Sequence, residues 1–159
     1  MPYKLLLRMI AGTHEFWYRL SGGLIGGRIA GLPILLLTTT GRKSGRNRTM
    51  PLVYLPDGDN MVVIASNGGA DQHPAWWLNL RDNPTAEVQV GPNTKTVVAE
   101  KATGQERQRL WHEVVDVYHG YDEYSRMTSR EIPVVILRPN GTERLDSRKA
   151  RRRATSARK

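Results

Sequence analysis

A chain of 159 residues has the size of one domain and can bury a core without staples. It contains no cysteine, so disulfides, thiolate metal sites and cysteine nucleophiles are excluded. The formal charge of +9 sits mostly at one end: residues 147–159, SRKARRRATSARK, hold seven of the 24 bases and no acid. The 17 bases that remain face 15 acids, so the body of the chain is nearly neutral. The excess is read as a basic, disordered tail over 147–159 and not as the charged face of a nucleic-acid binder. Contact of that tail with a polyanion or an anionic membrane stays open. His14, His73, His112 and His119 show no metal-ligand spacing, so no bound metal is expected.

Residues 3–20 carry apolar side chains near helical spacing, which predicts an N-terminal amphipathic helix over 1–20. Such a helix docks on a core or lies on a membrane surface. The longest uncharged stretch, 29–41, has 13 residues, short of the roughly 18 that span a bilayer. With no secretory signal pattern either, the expected location is cytoplasmic, with peripheral membrane association left open. A glycine-rich connector over 21–33 lacks GxGxxG and follows no strand, so it is not a dinucleotide fingerprint.

From residue 34 the pattern changes to strands. Ile34–Thr40, Thr49–Leu55, Met61–Ser66, Thr85–Val90, Thr94–Lys101 and Ile132–Arg138 are apolar, β-branched or alternating runs. Pro56-Asp57-Gly58-Asp59 and Gly91-Pro92-Asn93 supply turns between them. Pro74 opens a short helix to about 82, and Thr103 with Glu106 forms a capping-box pattern for a helix over about 104–119. Six strands joined largely by hairpins, with few helices, predict a mainly β, α+β fold: a closed or split barrel flanked by helices.

Three segments carry chemistry. Between the first two strands, Gly41-Arg42-Lys43-Ser44-Gly45-Arg46-Asn47-Arg48 packs four bases into seven residues beside two glycines and a hydroxyl. Such a loop can hold phosphate or carboxylate groups, or it can be a solvated hairpin; charge alone does not choose. Ala65-Ser66-Asn67-Gly68-Gly69 ends a strand with small residues that let a planar ligand approach the backbone, and Trp76, Trp77 and Asn79 follow on a helix. One or both tryptophans are equally suited to plain core. His73 reads better as a cap or structural donor than as a general base. Tyr118, Tyr121 and Tyr124 recur every third residue, either as a pocket edge or as an interfacial stripe.

The stretches LLTTTGRKSGRNRTMPL, VIASNGGADQHPAWWLNL and REIPVVILRP resemble the deazaflavin-dependent nitroreductases, also called F420-dependent quinone reductases. The resemblance covers about Leu20 to Pro139 and rests on separated motifs in the same order. It implies a split β-barrel of the flavin-reductase, FMN-binding type over 21–146, and coenzyme F420 as hydride carrier. F420 bears an anionic phospholactyl group and a glutamate chain. By the resemblance, Arg42, Lys43, Ser44 and Arg48 grip that arm, with Thr49, Met50, Pro51, Leu52 and Val53 along its route. Ile64, Ala65, Ser66 and Asn67 contact the ring, and Ala75, Trp76, Trp77, Leu78 and Asn79 close over it. Tyr121 and Ser66 are the catalytic candidates that orient the acceptor, and Tyr118 and Tyr124 join Tyr121 in the substrate pocket. The implied acceptor is a quinone, an activated alkene or a nitroaromatic. Val53 stands where some relatives carry an aromatic, which opens the pocket here. The competing readings are a basic module for polyanions or anionic membrane, and a protein that binds F420 without turnover.

Overall fold

The computed structural model describes the backbone of residues 28–29 and the chain from Gly31 to Asn140. The expected N-terminal helix and basic tail lie outside the described residues. Strands β1 (Arg28–Ile29), β2 (Leu32–Thr40), β3 (Asn47–Val53), β4 (Leu55–Asp57) and β5 (Asn60–Ile64) come first. A 3-10 turn (Asn67–Gly69) leads to α1 (Ala75–Asp82), β6 (Thr85–Val90) and β7 (Asn93–Lys101). The chain ends with α2 (Gly104–Val117), α3 (Gly120–Arg126) and β8 (Val134–Pro139).

Every strand pairing is antiparallel, in the order β1-β2-β6-β7-β8-β5-β4, and β3 pairs with the remaining edge of β2. Only Tyr54 separates β3 from β4, so one bent run of chain joins the two ends of this order. The predicted strand 49–55 is thus two strands with different partners. β3 lies along β2 from Ile34↔Val53 to Thr40↔Asn47, whereas β4 lies along β5 from Leu55↔Val62 to Asp57↔Asn60. The hairpin turn narrows to Gly58-Asp59, with Gly58 in the left-handed region that glycine tolerates.

The barrel interior is filled by Leu35 and Leu37 of β2, Val63 of β5, Val88 of β6, Val97 of β7, and Val135 and Leu137 of β8. Trp76, Trp77 and Leu80 of α1 join the same core. Val62, Val134 and Ile136, on the other faces of β5 and β8, pack with Leu110 and Val114 of α2. β8 is therefore buried on both sides, which is why it reads as an unbroken apolar run.

The predicted helix over 104–119 stops at Val117, and a second helix starts at Gly120. A Cβ at Gly120 would stand 2.4 Å from the Tyr118 ring, so a glycine there lets the ring fold over the break. The capping box is not formed. Thr103 occupies the N-cap without a side-chain bond, and Glu106 instead accepts from the Arg138 guanidinium at 3.4 Å.

Leu37→Ala removes a side chain from the barrel interior and is expected to cost about 2–5 kcal/mol of stability. Val98→Ala, on the exposed side of β7, should stay within about 0.5 kcal/mol. Urea unfolding midpoints check both, and equal effects would contradict this placement of the core.

Candidate functional site

β3 and β5 are joined at their β4 end and part at the other, and a cavity of about 1020 Å³ opens between them. Gly41 to Ser44 and Arg48 to Val53 line one wall. Ile64, Ser66, Asn67 and Gly68 line another, with Pro74, Ala75, Trp76, Asn79 and Tyr121 completing it.

The basic loop is held as a tight turn. The Gly41 N–H donates to Arg46 O at 2.8 Å and the Gly45 N–H to Gly41 O at 2.7 Å, with Gly45 at φ 67°. A Cβ at Gly41 would meet Ser44 Oγ at 2.9 Å and the Arg46 carbonyl at 3.0 Å, so only glycine fits without displacing backbone. The Arg46 N–H donates to Ser44 Oγ at 3.3 Å, which leaves the Ser44 hydroxyl hydrogen available. Arg42, Lys43, Arg46 and Arg48 are exposed, and none forms an ion pair among the described residues. Arg42, Lys43 and Arg48 line the cavity, and three uncompensated cations there make that end attractive to anions.

Asn79, on the cavity wall as expected, also has an internal task. Its Oδ1 accepts the Arg42 N–H at 3.1 Å, and its Nδ2 donates to Thr39 Oγ1 at 3.0 Å. Asn79 and Thr39 are both buried, so this pair fixes the root of the basic loop to α1. The 3.6-residue period places Ala75, Trp76 and Asn79 on one side of that helix. Trp77 lies in the barrel core and Leu78 is half-buried; neither lines the cavity. Ala65 is likewise a fully buried core residue and not part of the wall. Gly41 and Gly68, which the sequence placed in the ligand-approach segments, line the cavity, and so does Pro74, which it read only as a helix opener.

At the opposite end, Tyr121 touches Tyr118 edge-on, with ring centroids 5.2 Å apart, and Tyr124 at 6.2 Å. Tyr118 and Tyr124 share a hydroxyl contact of 3.4 Å, and only Tyr121 reaches the cavity wall. Burial, and then the neighbouring phenols, push the Tyr121 pKa up to about 12. Its hydroxyl therefore remains a proton-bearing donor through the neutral range.

Arg130 holds the Ser66 side of the cavity in place. Its Nη2 donates to Ser66 O at 2.7 Å, Nε to Ala70 O at 2.8 Å and Nη1 to Ala65 O at 3.2 Å. The same Nη1 lies 3.2 Å from His73 Nδ1. Arginine can only donate, so Nδ1 is the acceptor and the His73 proton sits on Nε2. Burial and the positive charges of Arg130, Arg81 and Lys101 lower the His73 pKa. A smaller cleft of about 320 Å³ lies by Arg107, Trp111, His112 and Glu131.

The model of the F420H2-dependent quinone reductase family matches residues 11–139. The chain belongs to this family. As a member it is an oxidoreductase that depends on F420H2, and the family name implies a quinone acceptor. An F420H2-dependent quinone reductase of Mycobacterium tuberculosis is 42% identical over 129 residues, 78% of this chain and 86% of that relative. Among solved structures, an F420H2-dependent reductase is 40% identical with a TM-score of 0.61, over 66% of this chain and 93% of the other. A haem-binding protein of Mycobacterium smegmatis shares the fold at 20% identity and TM-score 0.54, over 67% of this chain and 46% of its own. Among the described residues, no helix of this quinone reductase family member is long and apolar enough to cross a membrane.

Two expected outcomes follow from this geometry. Asn79→Ala strands the Arg42 N–H and the Thr39 hydroxyl, at about 1–3 kcal/mol, and should loosen the basic loop; unaltered amide exchange at 41–46 would contradict this. His73, followed by NMR, should half-protonate below 6.5. Because the unfolded chain takes up that proton first, the His73 contribution to stability is complete above 6.5 and is lost as pH falls through its lower folded value. A native value at or above 6.5 would contradict the acceptor assignment.

Proposed function

We propose that this cavity holds reduced F420 and that the acceptor is an electron-poor small molecule: a quinone, an activated alkene or a nitroaromatic. The observation that carries this reading is the polarity of one continuous cavity. Unpaired cations line its Arg42–Arg48 end, while Ile64, Trp76 and the Tyr121 ring line the other. An anionic arm joined to a flat heterocycle is chemically complementary to such a gradient. In this reading Arg42, Lys43, Ser44 and Arg48 would hold the arm. Thr49, Met50, Pro51, Leu52 and Val53 would flank it, and Ile64, Ser66, Asn67, Ala75 and Trp76 would receive the ring.

When bound, reduced F420 supplies the hydride, so no acid–base triad is required of the protein. The chain's own contribution is alignment of donor and acceptor and exclusion of bulk water by Trp76 and Tyr121. The Tyr121 hydroxyl, which has no hydrogen-bond partner among the described residues, would donate to the acceptor oxygen as charge develops there. Ser66, also on the wall, is the second candidate for that role. Tyr118 and Tyr124 would act by packing the Tyr121 ring. Peripheral contact with an anionic membrane would depend on segments outside the described residues.

Fluorescence titration should show selective binding of F420 over FMN. Arg42→Ala with Lys43→Ala should weaken F420 binding, and the difference from wild type should shrink at high salt as the attraction is screened. Equal affinity for the two cofactors, or an unaffected double variant at low salt, would overturn the assignment of the arm. Tyr121→Phe should slow single-turnover reoxidation of bound reduced F420 by menadione about 10- to 100-fold, with little change in cofactor affinity. An unchanged rate would leave Tyr121 as packing alone.

A further inference from the structure

Arg130 is a partly buried guanidinium that forms no ion pair among the described residues. Its donors go to three backbone carbonyls and one imidazole, all some 60 positions away in sequence. Burying a charge and spending it on carbonyls costs solvation, so the gain lies in the shape it imposes on residues 65–70. No peptide here is cis, and in a trans peptide the N–H points opposite to the C=O. With the Ala65 and Ser66 carbonyls drawn to Arg130, the N–H groups of Ser66 and Asn67 are turned away from it. Neither N–H has an acceptor among the described residues, although both residues line the cavity. Asn67 also sits at φ 49°, in the left-handed region that asparagine tolerates better than most residues with a side chain. The Asn67 side chain is turned elsewhere, its Nδ2 donating to Gln72 O at 2.9 Å.

We propose that Arg130 is a positioning residue for the cofactor ring: by capturing the Ala65, Ser66 and Ala70 carbonyls it presents the Ser66 and Asn67 N–H groups to the cavity as a donor pair for a ring carbonyl of the deazaflavin. The inference rests on the F420 reading but concerns the ring, not the anionic arm. It assigns a binding function to an arginine that never touches the cofactor.

The test uses the full chain and two probes, F420 and its ring fragment 8-hydroxy-5-deazariboflavin, which lacks the anionic arm. Arg130→Met should weaken the fragment about 10- to 100-fold, independently of salt, and methylguanidinium should restore part of the loss. Arg42→Ala with Lys43→Ala should leave the fragment's affinity unchanged. In the apo protein, the amide resonances of Ser66 and Asn67 should shift on fragment addition in the wild type and not in Arg130→Met. Should Arg130→Met fail to fold, Ser66→Pro against Ser66→Ala gives the same test. Ser66 has φ −72°, which proline tolerates, and only the proline removes the N–H. The expected result is a larger loss for proline than for alanine. Fragment affinity unchanged in Arg130→Met, or equal in the two Ser66 variants, overturns the proposal. A wild type that binds neither probe overturns instead the F420 reading beneath it.

Discussion

One run of chain cannot hydrogen-bond two neighbouring strands that diverge. From Asn47 to Val53 it follows β2, and from Leu55 to Asp57 it follows β5, with Tyr54 as the point of exchange. That change of partner ties the ends of the strand order together and prevents the barrel from sealing along its whole height. Beyond the exchange, Val63 and Ile64 of β5 pair with β8, and no described strand bridges β5 to β3. The cavity occupies the gap. Both loops at its mouth, the Gly41–Arg48 turn and the Ala65–Gly69 segment, sit where they do because each abuts the open end of this splayed pair.

The two mouths are built differently. At the basic loop, glycine removes a steric obstacle at Gly41 and the buried Asn79 amide ties Arg42 to Thr39. The arginine and lysine heads are thereby left without internal partners, and their electrostatic potential is directed to solvent and cavity. At the Ser66 loop, a guanidinium is consumed internally so that backbone, and not charge, faces the cavity. Gly69 takes part by close approach: a Cβ there would stand 3.0 Å from Met127 Cβ and 3.1 Å from the Tyr124 carbonyl. That contact brings α3, and with it Tyr121, against the loop.

The sequence made most of the frame legible because its strands are apolar runs bounded by strong turns. Gly41 through Arg48 stood out because clustered cations beside glycines are a local signal, although charge alone left a solvated hairpin equally open. What failed to show were features that depend on contacts distant in sequence. Tyr54 carries no mark of a strand changing partners. The Trp76-Trp77 pair could be read as wall or as core; both join the barrel core, and of the two only Trp76 also reaches the cavity. Asn79 lines the cavity as expected, but nothing local reveals its second partner Thr39, 40 positions away. Nothing local to Arg130 reveals its partners Ala65, Ser66 and Ala70, 60 to 65 positions away. The capping box matched its pattern, yet Arg138 offered Glu106 a better partner than the helix terminus.

The central claim is that the gap between β3 and β5 is where F420 binds. Backbone hydrogen–deuterium exchange with and without F420 tests it most directly, since it reports on every amide without altering a residue. The account predicts slowed exchange at 41–53 and 64–79, with the stretch 107–132 changed only at Tyr121. No protection in the first two stretches, or protection centred on the cleft at Arg107 and Trp111, would contradict it.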